Sequence, residues 1–435
     1  MLNILCAKGG IKINIKLPYY KSYLEVDVDE KNLKAVLYPK IHEFSTDLRE
    51  KDIVLNALKN PIGSKPLHQI AKDKNRVLII TSDHTRSVPS KITLPILLNE
   101  VRKGNPNADI TILIATGLHR KTTIEEQRTM FGNEIVANEK IVVHDATDKQ
   151  STEFVCILPS GSSFEVNKLV LETDLLITEG FVEPHFFAGF SGGRKSILPG
   201  VCSEVTIREN HSAKAISHQN SKAGILKGNV INEDMEFAAK KVDVNFTLNV
   251  ALDGDKKIIA AFAGNIIDSH KIACDFVSKL SRAEKITGDI VITSNGGYPL
   301  DQNLYQSPKA MSTAQACAGN NGLIIMVASC CDGLGGVHFE EMLLARSFAE
   351  NYEIIMNTPD KDTIEEQWCV QILAEIIRDH IVVLVTDFLD HNIIKKIGMI
   401  PATTVNEALD IAYSIKGKDA SVVVIPDGVA VMISK

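Results

Sequence analysis

Short, almost wholly apolar runs recur along the chain at 76–82, 109–116, 140–144, 174–178, 289–294, 322–328, 381–387 and 420–426. A strand that shows one face to water alternates apolar and polar residues, whereas a strand covered on both faces does not. These runs therefore predict central strands of parallel sheets, with the segments between them crossing back as helices. The helical stretches carry matching punctuation. Thr404-x-x-Glu407 predicts a capping box, followed by Val405, Ala408, Leu409, Ala412 and Ile415 as an apolar face and by Gly417 as a stop. Asp362-x-x-Glu365 predicts another helix start of the same kind, and Ser203 or Glu204 predicts one ahead of His211.

Residues 11–40 follow a different rule. Ile11, Ile13, Ile15 and Leu17, then Leu24, Val26 and Val28, alternate with polar residues, and a shorter run covers Leu33 to Leu37. This predicts antiparallel strands forming a small edge sheet of the first domain. The polar helical stretch Ser269–Lys285 separates the two strand series. The expected layout is an N-terminal α/β domain over 1–268, a helical hinge over 269–287 and a C-terminal α/β domain over 288–435. The predicted fold class is thus α/β, with two Rossmann-like, mostly parallel sheets flanked by helices and the active site in the cleft between the domains.

Composition changes this picture little. A length of 435 residues exceeds one ordinary hydrophobic core, and 45% hydrophobic against 23% charged residues excludes a disordered chain. A net charge of -7 argues against nucleic-acid or anionic-membrane partners, which select a clustered basic excess. The eight cysteines form no C-x-x-C pair and suit reduced thiols. With no signal-peptide pattern in residues 1–20 and no apolar run of the roughly 18–20 residues that a bilayer span needs, a cytoplasmic protein without membrane contact is expected.

Candidate chemistry gathers where the strands end. Ligands of open parallel sheets bind outside the carboxyl ends of the strands, where backbone N–H groups and helix N-termini converge. After 76–82 comes Asp83-His84-Thr85-Arg86, and after 109–116 comes Gly117-Leu118-His119-Arg120. The run 174–178 leads through Glu179 to Glu183-Pro184-His185 and on into Phe186-Phe187-Ala188-Gly189-Phe190-Ser191-Gly192-Gly193-Arg194-Lys195. Paired imidazoles with cationic groups suit proton transfer on a bound carboxylate. The stretch from Gly189 to Lys195 reads equally as an anion-binding loop or as a tight structural turn. It is not a P-loop, because Arg194 stands where G-x-x-x-x-G-K-[ST] needs glycine. Gly333-Leu334-Gly335 likewise lacks the third glycine of a dinucleotide fingerprint, which disfavours an NAD-dependent 2-hydroxy-acid dehydrogenase. His211, taken alone, is only a possible metal ligand.

Five strings, in this order along the chain, resemble the nickel-dependent lactate racemase family of 2-hydroxy-acid racemases and epimerases. They are Ser82-Asp83-His84-Thr85-Arg86, Thr116-Gly117-Leu118-His119, Glu183 through Lys195, Glu209-Asn210-His211, and Tyr305-Gln306-Ser307-Pro308-Lys309. The resemblance covers about residues 12–430. It implies a nickel pincer nucleotide, a pyridinium-3-thioamide-5-thiocarboxylate mononucleotide covalently attached to Lys195, with nickel bound by His211. Gly189, Ser191, Gly192 and Gly193 then become the cofactor loop. His119 and His185 are implied as the acid/base pair, and Arg86 and Lys309 as anchors of the substrate carboxylate. Asp83 is implied to orient Arg86 or an imidazole, Gln306 to add a polar contact, and Tyr305, Phe187 and Trp368 to wall the pocket. Lactate, or another small 2-hydroxy acid, is the implied substrate, and cofactor-maturation enzymes are the implied partners. A non-catalytic carrier is disfavoured by the intact set of His119, His185, Lys195 and His211.

Overall fold

The computed structural model describes residues 3–7, 10–86 and 88–434, and the chain divides into two compact units, Ile41–Leu280 and a second that joins Met1–Lys40 to Ser281–Lys435. In the first unit the apolar runs become the strands Arg76–Ser82, Asp109–Ala115, Lys140–Val143 and Leu175–Phe181. They pair in parallel, in the order Leu175–Phe181, Arg76–Ser82, Asp109–Ala115, Lys140–Val143. Two further strands, absent from the expectation, continue the sheet beyond Leu175–Phe181: Phe246–Leu252, which is parallel to it, and the antiparallel edge strand Ile258–Gly264. Asn249 interrupts one of these runs, and Ala260, Ala261 and Ala263 dilute the other with residues that favour strands weakly.

Leu175–Phe181 and Phe246–Leu252 are buried along their whole length. Ile79, Ile112, Ile177 and Leu248 share one core with Leu94, Leu97 and Val101 of the helix Ser90–Gly104. Since the five strands from Phe246–Leu252 to Lys140–Val143 run in parallel, their carboxyl ends leave at one edge, which fixes where polar loops can gather.

The second unit holds a wholly parallel sheet in the order Ile400–Ala402, Ile381–Val385, Ala318–Val327, Gly288–Ser294, Val422–Ile425, Leu33–Val36. Here the expected domain limits need correction. Gly10–Tyr19 and Ser22–Asp29 do pair antiparallel, joined by Asn3–Ala7, yet they are not an edge sheet of the first domain. Ile15, Leu17, Val26 and Val28 are fully buried in one core with Ile290, Ile292, Leu323 and Leu409, and Leu33–Val36 pairs with Val422–Ile425. Alternation announces that one face must be covered; it does not name the neighbour that covers it.

The hinge expected over 269–287 also moves. Its first part belongs to the helix Ile266–Ser281, whose Ala273, Cys274 and Val277 are buried, and the units divide at Leu280 and Ser281. The capping box at Thr404 is present, with Val405–Lys416 as its helix. The one at Asp362 is not. Asp360–Asp362 is a single 3₁₀ turn, and the helix Gln367–Asp379 starts only after Glu366, at φ +67°. The Glu366 carboxylate instead accepts the N–H of Phe339 at 2.9 Å, at the start of the helix Val337–Ala345. Among the described residues, no helix is long and apolar enough to cross a membrane.

Candidate active site

The first cluster joins the loops that follow two neighbouring strands. Asp83, just past Arg76–Ser82, is 2% exposed, and its Oδ2 lies 2.7 Å from His119 Nδ1. Its Oδ1 accepts the Thr85 N–H at 3.2 Å and the Thr85 hydroxyl at 2.7 Å. Burial pushes the Asp83 carboxyl up, but the charge of His119, its hydrogen bond, the charge of Arg86 and the Thr85 hydroxyl together hold it below the ordinary carboxylate range. His119 follows Asp109–Ala115, and the turn bearing it is fixed by the Gly117 N–H donating to the Gly200 carbonyl at 3.0 Å. A carboxylate on Nδ1 selects the tautomer whose Nε2 carries the lone pair. The His119 side chain keeps 33% of its surface exposed, so that nitrogen sits on an accessible ring.

A second cluster is built on the loop after Leu175–Phe181. Pro184–His185 pairs antiparallel with Gly189–Phe190 in a miniature hairpin. The Ser191 hydroxyl donates to the Phe181 carbonyl at 3.0 Å, and the Ser191 N–H donates to the Glu183 carbonyl at 2.9 Å, closing the base of that hairpin. Gly192 has φ +73°, and a Cβ there would stand 2.7 Å from the Phe181 carbonyl oxygen. The Gly193 N–H donates to Asn249 Oδ1 at 2.9 Å, so the buried asparagine that broke the strand pattern is what seats this loop.

Around Phe187 the loop gathers three of the expected site residues. The His185 ring meets the Phe187 ring edge-on at 4.6 Å, His211 meets it edge-on at 5.1 Å, and Lys195 Nζ lies 5.7 Å from its centre. Lys195 Nζ is also 3.4 Å from His185 Nε2. The Ala188 N–H donates to His185 Nδ1 at 3.3 Å, so both ring nitrogens of His185 face donors. His211 caps the carboxyl end of the helix Glu204–Asn210 rather than lying inside it, and its Nδ1 donates to the Ile207 carbonyl at 2.9 Å. Burial, then the charge of Lys195, push its pKa down to about 3, against the pull of the Ile207 carbonyl. His211 is therefore a neutral imidazole of defined tautomer.

The remaining expected residues are placed less centrally or in the other unit. Arg86 is half-buried, and His84 faces Thr122 at 3.2 Å. In the second unit, Trp368 Nε1 donates to the Tyr305 hydroxyl at 2.9 Å, and Tyr305 meets Phe339 edge-on at 5.4 Å. Burial pushes the Tyr305 phenol well above its ordinary pKa, with further upward pushes from the charges of Cys369 and Glu366. Gln306 is buried in the 3₁₀ turn Leu304–Gln306, and Lys309 opens the helix Pro308–Cys317. Residue-pattern reasoning gave no role to Thr85, Asn249, His270 or the structural weight of Arg194; of these, Thr85 and Arg194 stand inside the quoted strings, whereas Asn249 and His270 lie outside them.

Imidazoles and a half-buried amine at the carboxyl edge of a mainly parallel sheet define the protein as a Rossmann-like α/β enzyme. Comparison with known proteins narrows this. The lactate racemase N-terminal domain matches residues 19–224, and the lactate racemase C-terminal domain matches residues 283–433. A lactate racemase of Thermoanaerobacterium thermosaccharolyticum is 46% identical over 421 residues, 97% of this chain and 99% of that protein. One of Lactiplantibacillus plantarum is 45% identical over 422 residues, 97% of this chain and 100% of that protein. The solved structure of the lactate racemase apoprotein from T. thermosaccharolyticum has a TM-score of 0.93 and covers 97% of this chain and 100% of its own. A Thermotoga maritima protein, 18% identical with a TM-score of 0.69 over 90% of this chain and 99% of its own, shares the fold. The chain belongs to the lactate racemase family.

Proposed function

We propose that the protein is an isomerase that racemises lactate, with His119 and His185 as its proton-transfer groups and with Lys195 and His211 holding a nickel pincer nucleotide. The observation that carries this reading is the gathering of His185, Lys195 and His211 around the one Phe187 ring, on a sheet edge that also presents the His119–Asp83 pair.

The residues present fit that cofactor. Nickel takes imidazole and sulfur donors, and a ligating histidine ordinarily donates its other ring N–H to a carbonyl or carboxylate. His211 does this through Nδ1 to Ile207, which puts the lone pair on Nε2. Among the described residues no three His, Cys, Asp or Glu side chains converge to hold a metal, so the other donors would come from the nucleotide. Lys195 fits the tether for a further reason. A neutral His185 ring accepts one hydrogen bond, yet it faces both the Ala188 N–H and the lysine amine. Converting that amine to an uncharged thioamide nitrogen removes the charge from this crowded contact. When bound, the group would supply a hydride acceptor and donor, which no side chain here offers.

The chain's own residues do the rest. His119, with Nδ1–H directed at Asp83, is set to take the hydroxyl proton of lactate at Nε2, and the adjacent carboxylate stabilises the imidazolium that forms. His185, with Nδ1 accepting from Ala188, holds its ring hydrogen at Nε2 and is set as the donor. One base and one acid, exchanging roles, are what a reaction that runs in both directions needs. Arg86 would hold the carboxylate by charge-assisted hydrogen bonds. Phe187, against which His185 and His211 pack, would keep water from the reacting carbon. Loading depends on cofactor-maturation enzymes, and the cytoplasm, where Cys202, Cys274, Cys330 and Cys369 stay thiols, is the compartment this reading implies.

Chiral chromatography of D- and L-lactate incubated with maturated protein tests the reading. Interconversion without added NAD is expected, and His119→Ala or His185→Ala should each lower the rate about 10²–10⁴-fold while leaving nickel bound. Loss of nickel in both variants would reassign the two histidines as ligands.

A further inference from the structure

Arg194, the residue before the proposed tether, heads the fully buried side chains by volume. Its guanidinium donates to the carbonyls of Ala188 and Phe190 at 2.9 Å each and to those of Ser191 and Gly192 at 3.3 Å each. Beyond the loop it reaches Asn232 Oδ1 at 2.8 Å and His270 Nε2 at 2.9 Å. Among the described residues no carboxylate forms an ion pair with it; Glu236 acts on it only through its more distant charge. Burying a cation without an ion pair carries a large desolvation penalty, which a well-packed apolar residue would not incur. The hydrogen bonds identify what offsets it: four of the five carbonyls from Ala188 to Gly192 converge on one planar donor.

That arrangement acts directly on Lys195. Both residues lie in the 3₁₀ turn Gly193–Ser196. Consecutive side chains diverge by about 120° in such a turn, so anchoring one sets the direction of the next. From this turn the Lys195 amine reaches the rings of Phe187 and His185. The back of the turn is closed too, since a Cβ on Gly193 would stand 2.7 Å from the His270 ring. We propose that Arg194 is the positioning residue of the tether: by gathering the loop carbonyls onto its guanidinium it holds Lys195 in the one direction from which the amine can carry the cofactor. This deepens the cofactor reading above and rests on it.

Arg194→Lys and Arg194→Gln test the proposal, with three readouts on full-length protein after maturation: added mass on Lys195 by peptide mass spectrometry, nickel per chain, and hydrogen exchange of the peptide spanning 186–198. Lysine keeps the charge but cannot span four carbonyls, so both variants should lose about tenfold or more of the Lys195 adduct and nickel. Exchange should rise in that peptide alone, with the thermal melt of the unmaturated protein kept cooperative. Full loading with unchanged exchange in Arg194→Lys would overturn the proposal. So would loss of the cooperative melt in both variants, which would make Arg194 a general support of the fold. Wild-type protein that is active without added mass on Lys195 would refute the tether itself, while faster loop exchange in Arg194→Lys would still show what the guanidinium holds.

Discussion

At the scale of single residues, the site depends on which nitrogen of each imidazole carries the proton. Asp83 decides this for His119, because a carboxylate at 2.7 Å from Nδ1 accepts and never donates. Asp83→Asn keeps the shape but offers an amide that can present its N–H to Nδ1, inverting the tautomer. The expected result is a fall in kcat of about 10²–10⁴-fold with KM much less affected, read by polarimetry on maturated protein; an unchanged kcat would remove Asp83 from the proton path. His144 shows the same logic without catalysis. Its Nε2 donates to the Cys202 carbonyl at 2.8 Å and its Nδ1 accepts from Asn167 at 3.1 Å. Burial pushes its pKa below the ordinary histidine value despite the Cys202 carbonyl and Asp145. The folded ring stays neutral where the unfolded one takes a proton, so stability falls as pH drops below about 6.5, by up to about 1.4 kcal/mol per unit. Urea midpoints from pH 7.5 to 5 should decline less steeply in His144→Gln, and parallel profiles would contradict this. Residues such as His119, His185, Lys195 and His211 could be singled out in the sequence because each stands in or beside a longer string that resembles one family. Asn249 and His270 were not, since they meet the loop from 56 and 76 residues away.

Among elements, the buried strands were the most legible feature, because parallel strands covered on both faces leave unbroken apolar runs. Where another residue outcompetes a local signal, the reading fails. Asp362-x-x-Glu365 has the letters of a capping box, but the helix beyond it starts at Gln367, with Glu366 bonded to a different helix. Thr404-x-x-Glu407 keeps both reciprocal bonds of its capping box, and Thr404→Ala should cost about 1 kcal/mol of stability in urea titrations without changing the rate of racemisation. The hairpin of Pro184–His185 with Gly189–Phe190 is far less forgiving. Gly189 has φ +79°, and a Cβ there would stand 2.4 Å from the Ile225 carbonyl oxygen, which is backbone and cannot swing aside. Gly189→Ala should therefore destabilise by roughly 1–3 kcal/mol and also displace His185 from Phe187. Lost activity with an unchanged urea midpoint would show that the glycine matters for approach of the ligand and not for the turn.

For the whole molecule, the decisive fact is that the second unit is discontinuous: its core is completed by residues from the start of the chain. Nothing in the alternating pattern of 11–40 could reveal this, because the choice of partner is made by the exposed face of a sheet some 250 residues later. Its energetic consequence is large. Ile15, Leu17, Val26 and Val28 are each fully buried, and at about 1.5–3 kcal/mol per side chain their loss removes roughly 6–12 kcal/mol. That equals most of the 5–15 kcal/mol by which a domain is ordinarily stable. The strand Leu33–Val36 would go as well, leaving Val422–Ile425 as an open edge. A fragment of residues 41–280 should accordingly fold alone with a cooperative melt, whereas 281–435 should not. Residues 1–40 joined to 281–435 by a flexible linker should restore a cooperative transition. A cooperative melt of 281–435 by itself would show that the N-terminal strands decorate this core and do not complete it.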